Sequence, residues 1–263
     1  MENITDFRAD RSMFYLDEDP RTKNWFLIDS PGTVATLIAV YVAFVTKVGP
    51  AMMKDHKEFQ LKKFMLFYNA FQIIYCAALV IFSFVPFMQF RPSCATLSFA
   101  DEDIINAQLS YAFFLLKIID LLDTIIFVLR KKSRQITFLH VFHHVYVVIL
   151  GYVHTRYLAG TQVALLNVLN GSVHVAMYYY YLVTSLTNQA PWWKKYITSM
   201  QLLQLTALSS CMVPTMFNRA CSFPKLAVLG FMFLPNLVLI SEFGSFYKRS
   251  YVALTSGKTK KDE

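Results

Sequence analysis

Seven long apolar segments constrain the fold of this chain more than any other feature of its sequence. A helix of about 20 apolar residues crosses the hydrocarbon core of a bilayer, and a helix satisfies its own backbone hydrogen bonds there. The sequence therefore predicts an all-α integral membrane protein with seven transmembrane helices between residues 31 and 247. The segments cover about residues 31–48, 63–85, 108–129, 137–154, 161–185, 196–217 and 226–247.

The remaining sequence is too short to form a second folded domain. Residues 1–30 carry charges of both signs and lack the basic start and apolar core of a cleavable signal peptide. We expect them to form a lumenal N-terminal tail, and we expect residues 248–263 to form a cytosolic tail.

The distribution of lysine and arginine predicts this orientation. The loops that share a side with the C-terminus carry about twice as many of these residues as the opposite loops, which makes that side cytosolic. Asn3 lies in a glycosylation sequon, which could be used only in a lumen. Near the C-terminus, Lys260 and Lys261 resemble a dilysine retrieval signal and predict the endoplasmic reticulum membrane; a basic tail that contacts anionic lipid is the alternative.

The formal net charge of +8 does not indicate a nucleic-acid partner. Most of this charge lies beside the membrane, where it can face anionic lipids and anionic substrates.

Two of the four cysteines lie where oxidation is permitted. Cys76 and Cys211 fall inside apolar segments, whereas Cys94 and Cys221 follow the second and sixth segments, in predicted lumenal loops. We expect Cys94 and Cys221 to form a disulfide; two free thiols are the alternative.

The third segment contains three charged residues, Lys117, Asp120 and Asp123. Together with Thr124 they fall within an arc of about 120° on a helix, so they share one face. Each charge costs about 2.5–3.5 kcal/mol at the centre of a membrane. This face must therefore point into a helix bundle or a water-filled cavity.

Other segments also place polar side chains in the predicted cytosolic half of the membrane, while the lumenal halves are apolar. This pattern predicts one pocket with a polar cytosolic mouth and an apolar interior, which suits an amphiphile with a hydrocarbon tail. Isolated amides could instead join helices, and Lys117 with Asp120 could be a structural ion pair, but histidines concentrated on two helices indicate chemistry. The polar residues are Asn69, Gln72, His140, His143, His144, Asn170, His174, Tyr178, Tyr181, Gln201, Gln204, Asn236 and Glu242.

Four sequence boxes resemble, in order and spacing, those of the elongases of very long chain fatty acids: KIIDLLDT, HVFHH, NGSVHVAMYYYY and TSMQLLQ. The resemblance extends over about residues 25–250. The chain departs from the family pattern at Asp120, where the family usually has Glu, and at Gly171, where it usually has Ser.

The resemblance implies a fold and a reaction. Six of the seven helices would form a barrel around an acyl tunnel. The enzyme would be a 3-oxoacyl-CoA synthase, which condenses a long-chain acyl-CoA with malonyl-CoA and releases CO2 and CoA. No bound cofactor is implied; the expected partners are membrane lipid and the 3-oxoacyl-CoA reductase, dehydratase and enoyl reductase of the elongation cycle, and a homodimer is left open.

Histidine replaces cysteine as the expected nucleophile, because none of the four cysteines lies in the polar boxes. We predict that His143 takes the acyl group and that His174 polarises a carbonyl or assists decarboxylation. His140 and His144 would orient or proton-couple them, with Asp120 and Asp123 fixing the tautomers. The predicted substrate contacts are Lys117, Asn170, Tyr178, Tyr181, Gln201, Gln204 and Asn69.

Two other functions are compatible with parts of the sequence. HVFHH also resembles the histidine boxes of membrane desaturases and hydroxylases, but His56 lies in a loop and His154 at the opposite end of its segment. The four remaining histidines are too few for a two-iron centre, so we predict no metal site. A seven-helix receptor is the other alternative, although its ligand would not arrive from the cytosol.

Overall fold

The computed structural model describes residues 18–89, 104–159, 162–217 and 228–252, and within these ranges it consists of helices and turns. We number seven long helices along the described chain. They are α1 (Pro31–Ala43, continued by a π-helical stretch Phe44–Val48 and by Gly49–Met53), α2 (Lys62–Gln89), α3 (Ile104–Leu129), α4 (Phe138–Tyr157), α5 (Gln162–Thr187), α6 (Lys194–Phe217) and α7 (Leu234–Tyr247, flanked by π-helical stretches Val228–Phe233 and Lys248–Val252).

These helices coincide with the seven apolar segments, and their ends differ from the predicted ones by a few residues. Four are long and apolar enough to cross a membrane: Pro31–Met53, Lys62–Met88, Phe138–Tyr157 and Leu229–Val252. On α2 the outward side chains of Phe67, Ile74 and Phe82 are 73%, 70% and 69% exposed. Large apolar side chains are stable in that position when lipid covers them, so the chain is a membrane protein.

Close helix packing depends on two glycines. A Cβ at Gly171 of α5 would lie 2.7 Å from the Val80 side chain of α2 and 3.3 Å from the Cys76 carbonyl oxygen. A Cβ at Gly151 of α4 would lie 3.2 Å from the Phe114 Cα of α3. Small residues let helix backbones approach in membranes, so these glycines set the distances between the helices that carry the polar residues.

The start of α4 is fixed by a capping residue. The hydroxyl of Thr137 accepts a hydrogen bond from the His140 backbone N–H at 3.2 Å. Threonine is favoured at this position because it satisfies an amide that has no partner within the helix. The cap places His140 in the first turn of α4, with His143 and His144 in the next.

Part of the predicted N-terminal tail is structured. Arg156, near the end of α4, forms a 2.6 Å ion pair with Glu18 and donates a hydrogen bond to the Ile28 carbonyl. The Thr22 hydroxyl donates to the Thr155 carbonyl at 2.7 Å. Residues 18–30 therefore cover the C-terminal end of α4.

Five residues of the predicted sites lie outside the described residues: Asn3, Cys94, Cys221, Lys260 and Lys261.

Candidate active site

A buried ion pair forms the centre of a polar network between α2, α3 and α5. Lys117 Nζ lies 3.0 Å from Asp120 Oδ2, and both side chains are 2% exposed. Gln72 Nε2 of α2 donates to Asp120 Oδ1 at 2.8 Å. A buried charge is tolerated when it is paired and hydrogen-bonded, and Asp120 meets both conditions.

The Tyr178 hydroxyl connects Asp120 to Asp123, the second carboxylate of the network. The Tyr178 hydroxyl donates to Asp123 Oδ2 at 2.8 Å and lies 3.2 Å from Asp120 Oδ1. Gln72 Nε2 also donates to the Tyr68 hydroxyl at 2.8 Å. Residues from three helices are thus held in one arrangement by hydrogen bonds that lie away from bulk water.

The tautomer of His174 follows from its partners. His174 Nδ1 lies 2.9 Å from the Asn170 carbonyl oxygen, which can only accept, so the proton is on Nδ1. The lone pair of Nε2 faces Lys117 Nζ at 3.3 Å. Neutral His174 therefore has both ring nitrogens occupied.

The α4 histidines have different partners. His140 Nε2 lies 2.9 Å from the Thr124 hydroxyl, which in turn lies 2.7 Å from the Tyr41 hydroxyl. The His140 and His144 rings are 4.4 Å apart between centroids. His143 makes no hydrogen bond to the described residues, and its Nδ1 is buried. His144 also makes no hydrogen bond to the described residues, and its Nδ1 is buried too. Of these two histidines, His143 is the one that lines a cavity.

His143 also lines an apolar cavity between α3, α4, α5, α6 and α7. Along α4 the wall continues through Val147, Leu150 and His154, which recur on one face of the helix. Asn170, Gln204 and Asn236 also line the cavity. The cavity lining is therefore mostly apolar, with a few polar side chains that include His143.

The structure brings together most of the predicted site residues, but some lie at its margin. Tyr181 is 36% exposed and contacts the network through its ring, 5.9 Å from that of Tyr178. Gln201 Nε2 lies 3.8 Å from the Met177 sulfur. Asn69 is buried, and its amide nitrogen has no hydrogen-bond partner among the described residues.

The structure shows direct partners for two sets of predicted site residues. Asp120 and Asp123 do not hold the α4 histidines; the hydroxyl of Thr124 contacts His140 instead. Lys117, predicted to contact substrate, is engaged by Asp120 and His174. The reason is that Lys117 and Asp120 are three residues apart on one helix, so the long lysine side chain reaches the carboxylate directly.

The sequence predicts Asn69 on α2 as a substrate-contacting amide, whereas Gln72 makes the contacts to the network. The two residues share a helix face, so periodicity could not choose between them. Thr124 was identified on the polar face but not as a partner of His140.

Within the described ranges, no group of three or more His, Cys, Asp or Glu side chains is arranged to hold a metal ion. The cluster of polar residues is instead organised by direct hydrogen bonds and one ion pair.

Comparison with known proteins identifies the family. Residues 26–261 match the sequence profile of the GNS1/SUR4 family, ELO. The chain belongs to the ELO family. Its ELO relatives include very long chain fatty acid elongase 7 of Rattus norvegicus, 33% identical over 242 residues, which are 89% of this chain and 86% of the relative.

Two further ELO relatives carry similar names. Very long chain fatty acid elongase 1 of Mus musculus is 31% identical over 91% of this chain and 88% of the relative. Very long chain fatty acid elongase F of Drosophila simulans is 35% identical over 84% of this chain and 87% of the relative. The match therefore covers the whole helical region that contains the site.

Proposed function

We propose that this protein is a very-long-chain fatty acid elongase that acts as a 3-oxoacyl-CoA synthase. It joins a long-chain acyl-CoA to malonyl-CoA and releases CO2 and CoA. The observation that carries the proposal is an imidazole without hydrogen-bond partners among the described residues, His143, in the wall of a largely apolar cavity. The names of the ELO relatives support the same activity.

In the first step, a neutral His143 attacks the thioester carbonyl of the acyl-CoA. The carbon–sulfur bond breaks, the thiolate of CoA leaves with the imidazole proton, and an acyl-imidazole forms. His143 suits this step because neither of its nitrogens is held by another side chain of the described chain. His140 and His174, by contrast, have hydrogen-bonded nitrogens.

In the second step, malonyl-CoA loses CO2 and the resulting carbanion attacks the acyl carbonyl. The carbon–nitrogen bond to His143 breaks, the imidazole takes up a proton from solvent to return to its neutral form, and 3-oxoacyl-CoA leaves. This step develops negative charge on thioester oxygens, which fixed positive groups and donors stabilise. Lys117 and His174 supply such a fixed group beside Asn170, while Gln204 contributes an amide to the cavity wall.

The membrane arrangement follows from helix lengths. The three helices α3, α5 and α6 contain 26, 26 and 24 residues, which is more than a bilayer requires. Their polar faces point into the network and the cavity rather than toward lipid. We infer that all seven helices cross the membrane and that six of them surround the acyl tunnel.

The reaction is tested with purified protein, a long-chain acyl-CoA and labelled malonyl-CoA. A labelled 3-oxo product is expected, together with an acyl adduct on the protein, detected by intact mass, when malonyl-CoA is omitted. His143→Ala should remove the adduct and lower kcat by about a thousandfold or more. His56→Ala, at an exposed loop position, is the matched control and should leave both unchanged. An unchanged rate in His143→Ala would disprove the covalent mechanism.

The cellular setting is proposed from the sequence. We place the protein in the endoplasmic reticulum membrane, with a lumenal N-terminus and a cytosolic C-terminus. Its 3-oxo product would pass to a 3-oxoacyl-CoA reductase, a dehydratase and an enoyl reductase. Glycosidase sensitivity at Asn3, and altered non-reducing mobility of a Cys94→Ser variant through loss of the Cys94–Cys221 disulfide, test the orientation.

A further inference from the structure

His154 is a buried imidazole in the cavity wall that the proposed reaction does not use. It is 3% exposed and lines the same cavity as His143. The Ser110 hydroxyl donates to the Asn106 carbonyl at 2.9 Å, so its oxygen is left to accept from His154 Nδ1 at 3.4 Å. The proton of neutral His154 is then on Nδ1, and Nε2 is a hydrogen-bond acceptor with no partner among the described residues.

The surroundings of His154 are poor in polar partners. The cavity wall between the two histidines is formed mainly by apolar side chains such as Val147, Leu150 and Met212. Residues 18–30 cover the adjoining end of α4 through contacts to Thr155 and Arg156. A saturated hydrocarbon chain in this cavity would leave the buried acceptor unpaired, which is unfavourable.

The distance between the two histidines sets a position on the acyl chain. They are eleven residues apart on one helix, which corresponds to about 16 Å along its axis. Both side chains incline in the same direction along the helix, so this separation also holds for the rings. An extended hydrocarbon with C–C bonds of about 1.5 Å advances about 1.3 Å per carbon, so His154 faces roughly the thirteenth carbon from the thioester.

We propose that His154 forms a subsite for a hydroxyl group on the acyl chain, so that hydroxylated long-chain acyl-CoAs are preferred substrates. The hydroxyl of the substrate donates to His154 Nε2, and Ser110 fixes the tautomer that makes Nε2 an acceptor. The inference rests on the proposed condensation activity, because the acyl carbonyl must lie at His143 for the spacing to apply.

The test uses long-chain acyl-CoAs that carry one hydroxyl at successive positions, each compared with the unsubstituted acyl-CoA. We expect kcat/KM for the hydroxylated acyl-CoA to exceed that for the unsubstituted one by about tenfold when the hydroxyl lies near the thirteenth carbon, and by less at other positions. His154→Leu should flatten this profile, and Ser110→Ala should lower the peak. His56→Leu removes an exposed histidine elsewhere and should retain the profile.

A flat positional profile in the unaltered protein would overturn the inference, as would a peak that persists in His154→Leu. The profile of the unaltered protein decides the matter even if a variant fails to fold. If neither the unsubstituted nor any hydroxylated acyl-CoA is extended, the proposed function itself has failed. The two failures are therefore distinguishable.

Discussion

Replacing Asp120 with leucine should destabilise the protein strongly, because it leaves the Lys117 ammonium buried without its counter-ion. The two groups lie 3.0 Å apart, and each side chain is 2% exposed. Asp120 also accepts hydrogen bonds from Gln72 and from Tyr178. The substitution therefore removes an ion pair and two hydrogen bonds from one buried site.

The magnitude follows from the burial of the pair. Removing one partner of a buried ion pair costs about 3–5 kcal/mol, since the remaining charge is uncompensated. The loss of hydrogen bonds to Gln72 and Tyr178 costs less, because Gln72 keeps its hydrogen bond to the Tyr68 hydroxyl and Tyr178 keeps its hydrogen bond to Asp123. At about 2–4 °C per kcal/mol for a chain of this size, Tm should fall by roughly 10 °C.

A second variant separates the stranded charge from simple loss of contacts. In Lys117→Met combined with Asp120→Leu, no buried charge is left unpaired at this position, so most of the lost stability should return. Condensation should be abolished in the double variant, because Lys117 is part of the proposed charge-stabilising group. Thermal unfolding in detergent and the malonyl-CoA assay measure the two effects.

The matched control is Glu58→Leu. Glu58 pairs with Lys132 at 3.9 Å, but these side chains are 51% and 47% exposed. Removing this carboxylate should change stability by less than about 1 kcal/mol. A stranded lysine charge is excluded as the cause if Asp120→Leu unfolds at the same temperature as the control, or if the double variant is as unstable as the single one.

Three further substitutions have expected outcomes. Gly171→Ser should lower Tm by an amount equivalent to about 1–3 kcal/mol, because its Cβ would lie 2.7 Å from Val80; an unchanged melting curve would contradict this packing. Thr124→Val should reduce kcat through His140 and lower Tm by several degrees, since the hydrogen bonds to His140 and to Tyr41, about 1 kcal/mol each, are lost; equal kcat would remove His140 from the mechanism. Arg156→Met should increase proteolysis and amide exchange of residues 18–30, and unchanged exchange would show that other contacts hold the segment.

Much of the fold was predictable from local sequence. Each helix corresponds to a segment of about twenty apolar residues, and length and apolarity are properties of the segment alone. The polar face of α3 was predictable for the same reason, because helical periodicity places Lys117, Asp120 and Thr124 on one side. The structure of residues 18–30 was not predictable from local sequence, since it depends on contacts with the distant end of α4.

The partners within the site could not be predicted in the same way. Periodicity shows which residues share a face, but the rotation and depth of each helix against its neighbours decide which side chains meet. Gln72 and Asp120 are 48 residues apart in the sequence, and their contact depends on the packing of α2 against α3. Asn69, on the same face as Gln72, could not be distinguished from it.

The sequence by itself determined the membrane class, the seven helices and the concentration of histidine, lysine and carboxylate residues on a few helix faces, because these are local properties of spacing and composition. The tertiary structure decided that Lys117 neutralises Asp120, that Thr124 rather than a carboxylate contacts His140, and that His143 and His154 line one cavity. These features arise where five helices meet, and the distances between helices are set by packing, as at Gly151 and Gly171.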